Sequence, residues 1–240
     1  MGHGMDGGMV NPFAQNTIEE RLECELLCCL IRQAGSVIGN EKPSSIFNFV
    51  PRRWGINVSH DMLLEVACLA SEVYCEKLRD SDMKLIELAV FDNRIAMFSY
   101  RKSLIEDILK DESNQRFLQS YGYDTSSVES TIKSLKTKLR AFYIAKGDCV
   151  FRDEDFDLMC QSNSFPHEIG VLLGYPLQDV VSFIENEGKD SKALGSWKAY
   201  TNVEAAKKRF QEIKTCERNC MSMFESGYSL RDLLKLNGAY

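Results

Sequence analysis

No apolar run in this sequence approaches the ~20 residues that cross a bilayer as a helix, so no membrane span is expected. The opening residues, Met1-Gly2-His3-Gly4-Met5-Asp6-Gly7-Gly8, show no basic region followed by an apolar one, and they do not read as a signal peptide. Asp6 stands where an N-myristoylation signal needs Ser or Thr. The expectation for residues 1–16 is a flexible tail. Cys-x-x-Cys is missing, which removes thioredoxin-like and zinc-ribbon signatures. Basic charge is also scarce: 29 Lys and Arg against 35 Asp and Glu leave a net charge of −6, unfavourable for a general nucleic-acid binder.

What is present suits a folded cytoplasmic protein. The 240 residues, 44% hydrophobic and 27% charged, suffice for one large domain or two small ones. The 9 cysteines, without a secretion signal, read as reduced thiols. Cys24 with Cys28, and Cys216 with Cys220, lie one helical turn apart. These pairs can bind metal together only if the fold joins them; core packing is the alternative.

The stretch over 165–188 holds the most unusual residues. Pro166 suits the first position of a helix, and Glu168 sets negative charge near that helix's positive end. Ile169, Leu172 and Leu173 form its apolar stripe, Gly174 ends it, and Pro176 blocks continuation. A second helix is expected from Leu177, burying Val180, Val181 and Ile184 and stopping at Gly188. The spacing is helix-turn-helix-like, but its chemistry is wrong for DNA. The segment has four acids (Glu168, Asp179, Glu185, Glu187) and no Lys or Arg, and the reading face would offer Gln178, Asp179, Ser182, Glu185 and Asn186.

Elsewhere the chain alternates capped helices with one clear hairpin. Thr17-x-x-Glu20 opens a helix expected to stop at Gly35, followed by a loop or short helical turn to Pro51. Gly35-x-x-x-Gly39-x-x-Lys42-Pro43 has the wrong spacing for a phosphate loop; Lys42 can bind an anion or simply sit on the surface. Ser59 caps a helix with Met62, Leu63, Val66, Leu69, Ala70 and Val73 inward and His60 in its first turn. Residues 85–91 and 95–100 make the hairpin, apolar at nearly every position and so covered on both faces. Ser103, Ser126, Thr201 and Ser229 each precede an acid by three residues and are read as helix caps. The helix after Ser126 carries Val128, Ile132, Leu135, Leu139 and Phe142 inward, and Lys133, Lys136, Lys138 and Arg140 on a basic outer face. Residues 147–164 read as an acidic loop without calcium-loop spacing. Trp197-Lys198-Ala199-Tyr200 is expected to add a third strand to the hairpin. The fold class is therefore α+β: a predominantly helical single domain over 17–240, with a small sheet built on the hairpin.

Phe165-Pro166-His167-Glu168-Ile169-Gly170-x-x-Leu173-Gly174-Tyr175-Pro176-x-x-Asp179-Val180, with Gly195-x-Trp197-Lys198-x-Tyr200 and Lys42-Pro43-Ser44-x-Ile46-Phe47, resembles a family of uncharacterised bacterial proteins. That family is a domain of unknown function, common in anaerobes, and the resemblance spans about 17–234. Relatives often carry Cys where this chain has Ala34, so no thiol role is expected there. The resemblance implies no activity, though relatives encoded near flavodoxin and iron-uptake genes connect it with redox or iron physiology.

The first functional reading is a protein that binds a small ligand, cofactor or metal. Its candidate site is His167, Glu168, Tyr175, Trp197, Lys198 and Tyr200, with Lys42 and Arg101 as anion contacts. His167 can also ligate a metal or haem iron, or merely cap and pack. The cofactor itself is not identified by the sequence. A protein-interaction role for the hairpin is the second reading, and an enzyme using His167 or Glu168 as acid or base is the third. No nucleophile–base set accompanies them.

Overall fold

The structure is a computed structural model that describes residues 17–51, 60–91, 93–146 and 164–238. The expected tail, the Ser59 cap and the acidic segment 147–163 lie outside those residues. Helix α1 (Ile18–Ile38) opens with the expected capping box: the Thr17 hydroxyl accepts the Glu20 N–H at 3.3 Å, and the Glu20 carboxylate accepts the Thr17 N–H at 3.0 Å. It does not stop at Gly35. The chain kinks at Ala34 and continues to a cap at Gly39. Gly35 instead allows a close helix crossing, because a Cβ there would stand 3.3 Å from the Glu217 backbone.

The expected loop after Gly35 contains a strand, β1 (Ser44–Phe49). It is joined by α2 (His60–Lys77), β2 (Met83–Val90) and β3 (Ile95–Arg101). The hairpin β2–β3 is as expected, and β1 pairs antiparallel with β3 from Ser44↔Tyr100 to Phe49↔Ile95. The sheet order is β1-β3-β2, so β1 is the third strand and Trp197 belongs elsewhere. Two serines and an asparagine among its six residues dilute the β signal of Ile46, Phe47 and Phe49.

Every residue of β3 is buried. Alternate side chains point to opposite faces of a strand, and here they feed two cores. Ile95 and Met97 pack with Leu26, Leu30 and Tyr74 from α1 and α2, whereas Ala96, Phe98 and Tyr100 pack with helices that follow the hairpin. Fully burying one such large apolar side chain contributes roughly 1.5–3 kcal/mol. Leu69, expected inside, is 50% exposed on α2.

Helices α3 (Lys102–Lys110), α4 (Glu112–Ser120) and α5 (Val128–Ala145) cover the second face. Ser103 is not the cap of α3 but lies in its first turn. Asp82 takes over the capping, accepting the Ser103 N–H at 2.8 Å and its hydroxyl at 2.6 Å. Ser127, one residue later than expected, caps α5. Arg140 is buried, so the exposed basic face reduces to Lys133 and Lys136.

Residues 167–170 form a 3-10 turn rather than an α-helix, and Pro166 precedes it. Gly174 (φ +80°) turns the chain into α6 (Leu177–Glu185), which starts where expected. Strands β4 (Ala193–Leu194) and β5 (Lys198–Ala199) form a separate two-stranded ribbon. Asn202, not Thr201, caps α7 (Val203–Glu225), and a second capping box at Ser229 opens α8 (Leu230–Leu236). Among the described residues, no helix is long and apolar enough to cross a membrane.

Candidate functional site

The site grows from one buried carboxylate. Asp179 stands in the first turn of α6 and was expected on an outer, reading face; it is only 2% exposed. One oxygen accepts the Trp197 indole N–H at 2.8 Å. The other accepts the Tyr200 N–H at 2.9 Å, the Thr201 N–H at 3.0 Å and the Thr201 hydroxyl at 2.8 Å. Burial alone would raise its pKa, but these donors outweigh burial and hold the carboxyl below its ordinary value. Thr201 therefore cannot serve as the α7 cap, because its side chain is already held by Asp179.

This anchor fixes the Trp197 ring. Tyr175 stacks on it at 5.3 Å between centroids, and Phe210 meets it edge-on at 4.5 Å. A second aromatic series runs from Phe165 to His167 (5.3 Å) and on to Phe183 (4.9 Å). Tyr175, Trp197 and all three members of the second series line one cleft of about 320 Å³, completed by aliphatic groups such as Ile169, Leu173 and Val180. The Lys198 ammonium lies beside it, donating to the Gly188 carbonyl at 2.7 Å and 5.8 Å above the Phe183 ring.

The turn at 172–175 is strapped down from a distant part of the chain. Lys42 places its ammonium 5.5 Å from the Tyr175 ring centroid. Pro43 packs against Gly174 so closely that a Cβ there would fall 2.5 Å from the proline ring. Ser44 donates its hydroxyl to the Leu172 carbonyl at 2.7 Å. Lys42 is thus not a plain surface lysine. Burial lowers its pKa, against the opposing charge of Glu217.

Of the expected site residues, His167, Tyr175, Trp197 and Lys198 come together in the cleft, and Lys42 lies over the Tyr175 ring without lining the cleft. Tyr200 is buried beside the Asp179 anchor rather than lining the cleft. Glu168 is buried on a neighbouring cavity of about 400 Å³, 3.6 Å from the Lys138 ammonium. The Tyr123 phenol nearby is pushed up by burial first and by the Glu168 charge second. Arg101, expected as an anion contact, does not line the cleft. Its guanidinium, 1% exposed, donates to the carbonyls of Val37 and Ile38 at 2.7 and 2.6 Å and so closes the end of α1. Sequence reasoning missed Phe165 and Phe183 as lining groups, although both lie in or beside the long motif. It also missed Asp179, whose carboxylate looked like surface charge.

The two cysteine pairs stay apart. Cys216 and Cys220 lie against Gly39 and Gly35, whereas Cys24 and Cys28 line a groove at β1. Among the described residues, no group of three or more His, Cys, Asp and Glu side chains is arranged to hold a metal ion.

Comparison with known proteins gives one family. Residues 30–234 match the model of DUF3793, described as a protein of unknown function, and the chain belongs to that family. No curated protein and no solved structure matches it.

Proposed function

We propose that this DUF3793 member binds a small molecule with a flat ring system and an acceptor or anionic edge, in the cleft between Tyr175–Trp197 and Phe165–His167–Phe183. The observation that carries this reading is the convergence of five aromatic rings on a cleft of about 320 Å³, at the lower end of ordinary ligand-pocket sizes. Ring faces recognise a planar partner, and desolvated stacking pairs contribute about 0.5–1.5 kcal/mol each beyond area burial. Lys198 adds polarity at the rim. An ammonium has three donors, so its bond to Gly188 leaves capacity for an acceptor on the ligand. His167, exposed at the cleft, supplies a further donor or acceptor, or an axial ligand if the ring system carries iron. A connection with redox or iron physiology in a bacterial cytoplasm agrees with such a ligand. We read residues 17–240 as one domain, supported by the strap from residues 42–44 to the turn at 172–175.

One observation favours a protein partner as the second reading: Leu194, on the cleft, is 77% exposed. The test is native mass spectrometry of anaerobically purified protein, with an absorbance scan and metal analysis. A stoichiometric mass or chromophore that disappears in His167→Ala, with the far-ultraviolet spectrum unchanged, supports the cleft. A mass retained in full by His167→Ala and by Trp197→Leu places the ligand elsewhere.

A further inference from the structure

A second open groove, of about 440 Å³, lies between α1 and the edge strand β1. Its walls include Cys24, Cys28 and Cys29, flanked by Arg21 and Arg32. Helical spacing puts Cys24 and Cys28 on one face of α1, and both line this groove. Cys29 turns toward the strand and donates to the Asn48 carbonyl at 3.6 Å. We propose that Cys24 and Cys28 form a two-coordinate site for a soft monovalent cation of the Cu(I) class.

The donor set selects the ion. Paired sulfurs with no imidazole suit a soft d¹⁰ cation, and hard oxygen-seeking ions gain little from them. Structural zinc takes four ligands, whereas among the described residues no three His, Cys, Asp or Glu side chains are arranged to hold one ion, and Cys29 is committed to Asn48. On binding, each thiol gives up its proton to solvent and two sulfur–metal bonds form. The product carries one net negative charge, which Arg32 in the groove wall attracts and Glu25 in the same wall repels.

The test uses reduced, anaerobic full-length protein, with Cu(I) supplied from a bathocuproine disulfonate complex and Ag(I) as a redox-inert probe in native mass spectrometry. One equivalent of either ion is expected to bind the wild type. Losing a direct ligand costs at least the ~10–100-fold that losing an outer-shell partner does, so Cys24→Ser and Cys28→Ser should each weaken binding by that much or more. Cys216→Ser should leave it unchanged. Cys24→Ala serves where the serine variant does not fold. Failure of the wild type to take up metal, or uptake by Cys24→Ser and Cys28→Ser as tight as by the wild type, overturns the site. A loss in Cys29→Ser as large as in Cys28→Ser overturns two-coordination.

Discussion

Asp179 and Trp197 are 18 residues apart in the chain, and a 2.8 Å hydrogen bond from indole to carboxylate makes them one unit. The same carboxylate takes three more donors, so the 3-10 turn, α6 and the β4–β5 ribbon are organised around a single buried anion. Hydrogen bonds to a charged group are worth about 1.5–3 kcal/mol each, and orphaned buried donors cost more than exposed ones. Asp179→Ala should therefore lose about 3 kcal/mol or more in urea unfolding. Asp179→Asn, which sets an amide N–H against one of those donors, should fall between wild type and Ala.

The same group imposes a pH dependence. Its folded pKa is depressed, so its stabilisation is present above the unfolded aspartate value of about 3.9 and is lost as pH falls through the lower, folded value. Acid unfolding followed by circular dichroism should show a shallower decline below about pH 4 in Asp179→Asn than in wild type.

Arg101→Met should be strongly destabilising. It leaves the Val37 and Ile38 carbonyls without their donor and removes the charge facing Asp82 at 3.8 Å. Breaking a buried, hydrogen-bonded charge costs about 3–5 kcal/mol. An Arg101→Met protein with an unchanged denaturant midpoint would refute the closing role assigned to this guanidinium.

Tyr200→Phe should be neutral or slightly stabilising. The hydroxyl is buried and has no hydrogen-bond partner among the described residues, so deleting it relieves a desolvation cost of about 1 kcal/mol. A loss of stability on thermal melting would mean that the hydroxyl has a partner after all.

Gly174→Ala should be destabilising on two counts, by a φ of +80° that L residues rarely adopt and by collision with Pro43. The left-handed conformation alone costs about 1–2 kcal/mol for a residue with a Cβ. Differential scanning calorimetry should show a lowered Tm.

Strong local signals were readable from the sequence. The capping boxes at Thr17 and Ser229, the hairpin around Asn93 and the start of α6 at Leu177 each rest on residues a few positions apart. The misses share a cause. Ser103 and Thr201 look like caps locally, but Asp82 and Asp179, 21 and 22 residues away, hold their side chains instead. Strand β1 exists because β3 offers it an edge, which its own serines do not announce. The cleft was half legible: His167, Tyr175, Trp197 and Lys198 meet as expected, while Arg101 went to a helix end and Glu168 to the neighbouring cavity.

The strap formed by Lys42, Pro43 and Ser44 has a consequence for how the site can be handled. These residues touch Tyr175, Gly174 and Leu172 in reverse order, across 128 or more positions of chain. Contacts that distant carry the entropy cost of closing a long loop, so the turn beneath the cleft depends on chain remote in sequence. The cleft is not portable. A fragment starting at residue 60 keeps every side chain that lines it and loses the clamp that shapes it, so grafting residues 165–201 onto another scaffold would transfer the motif without the binding surface.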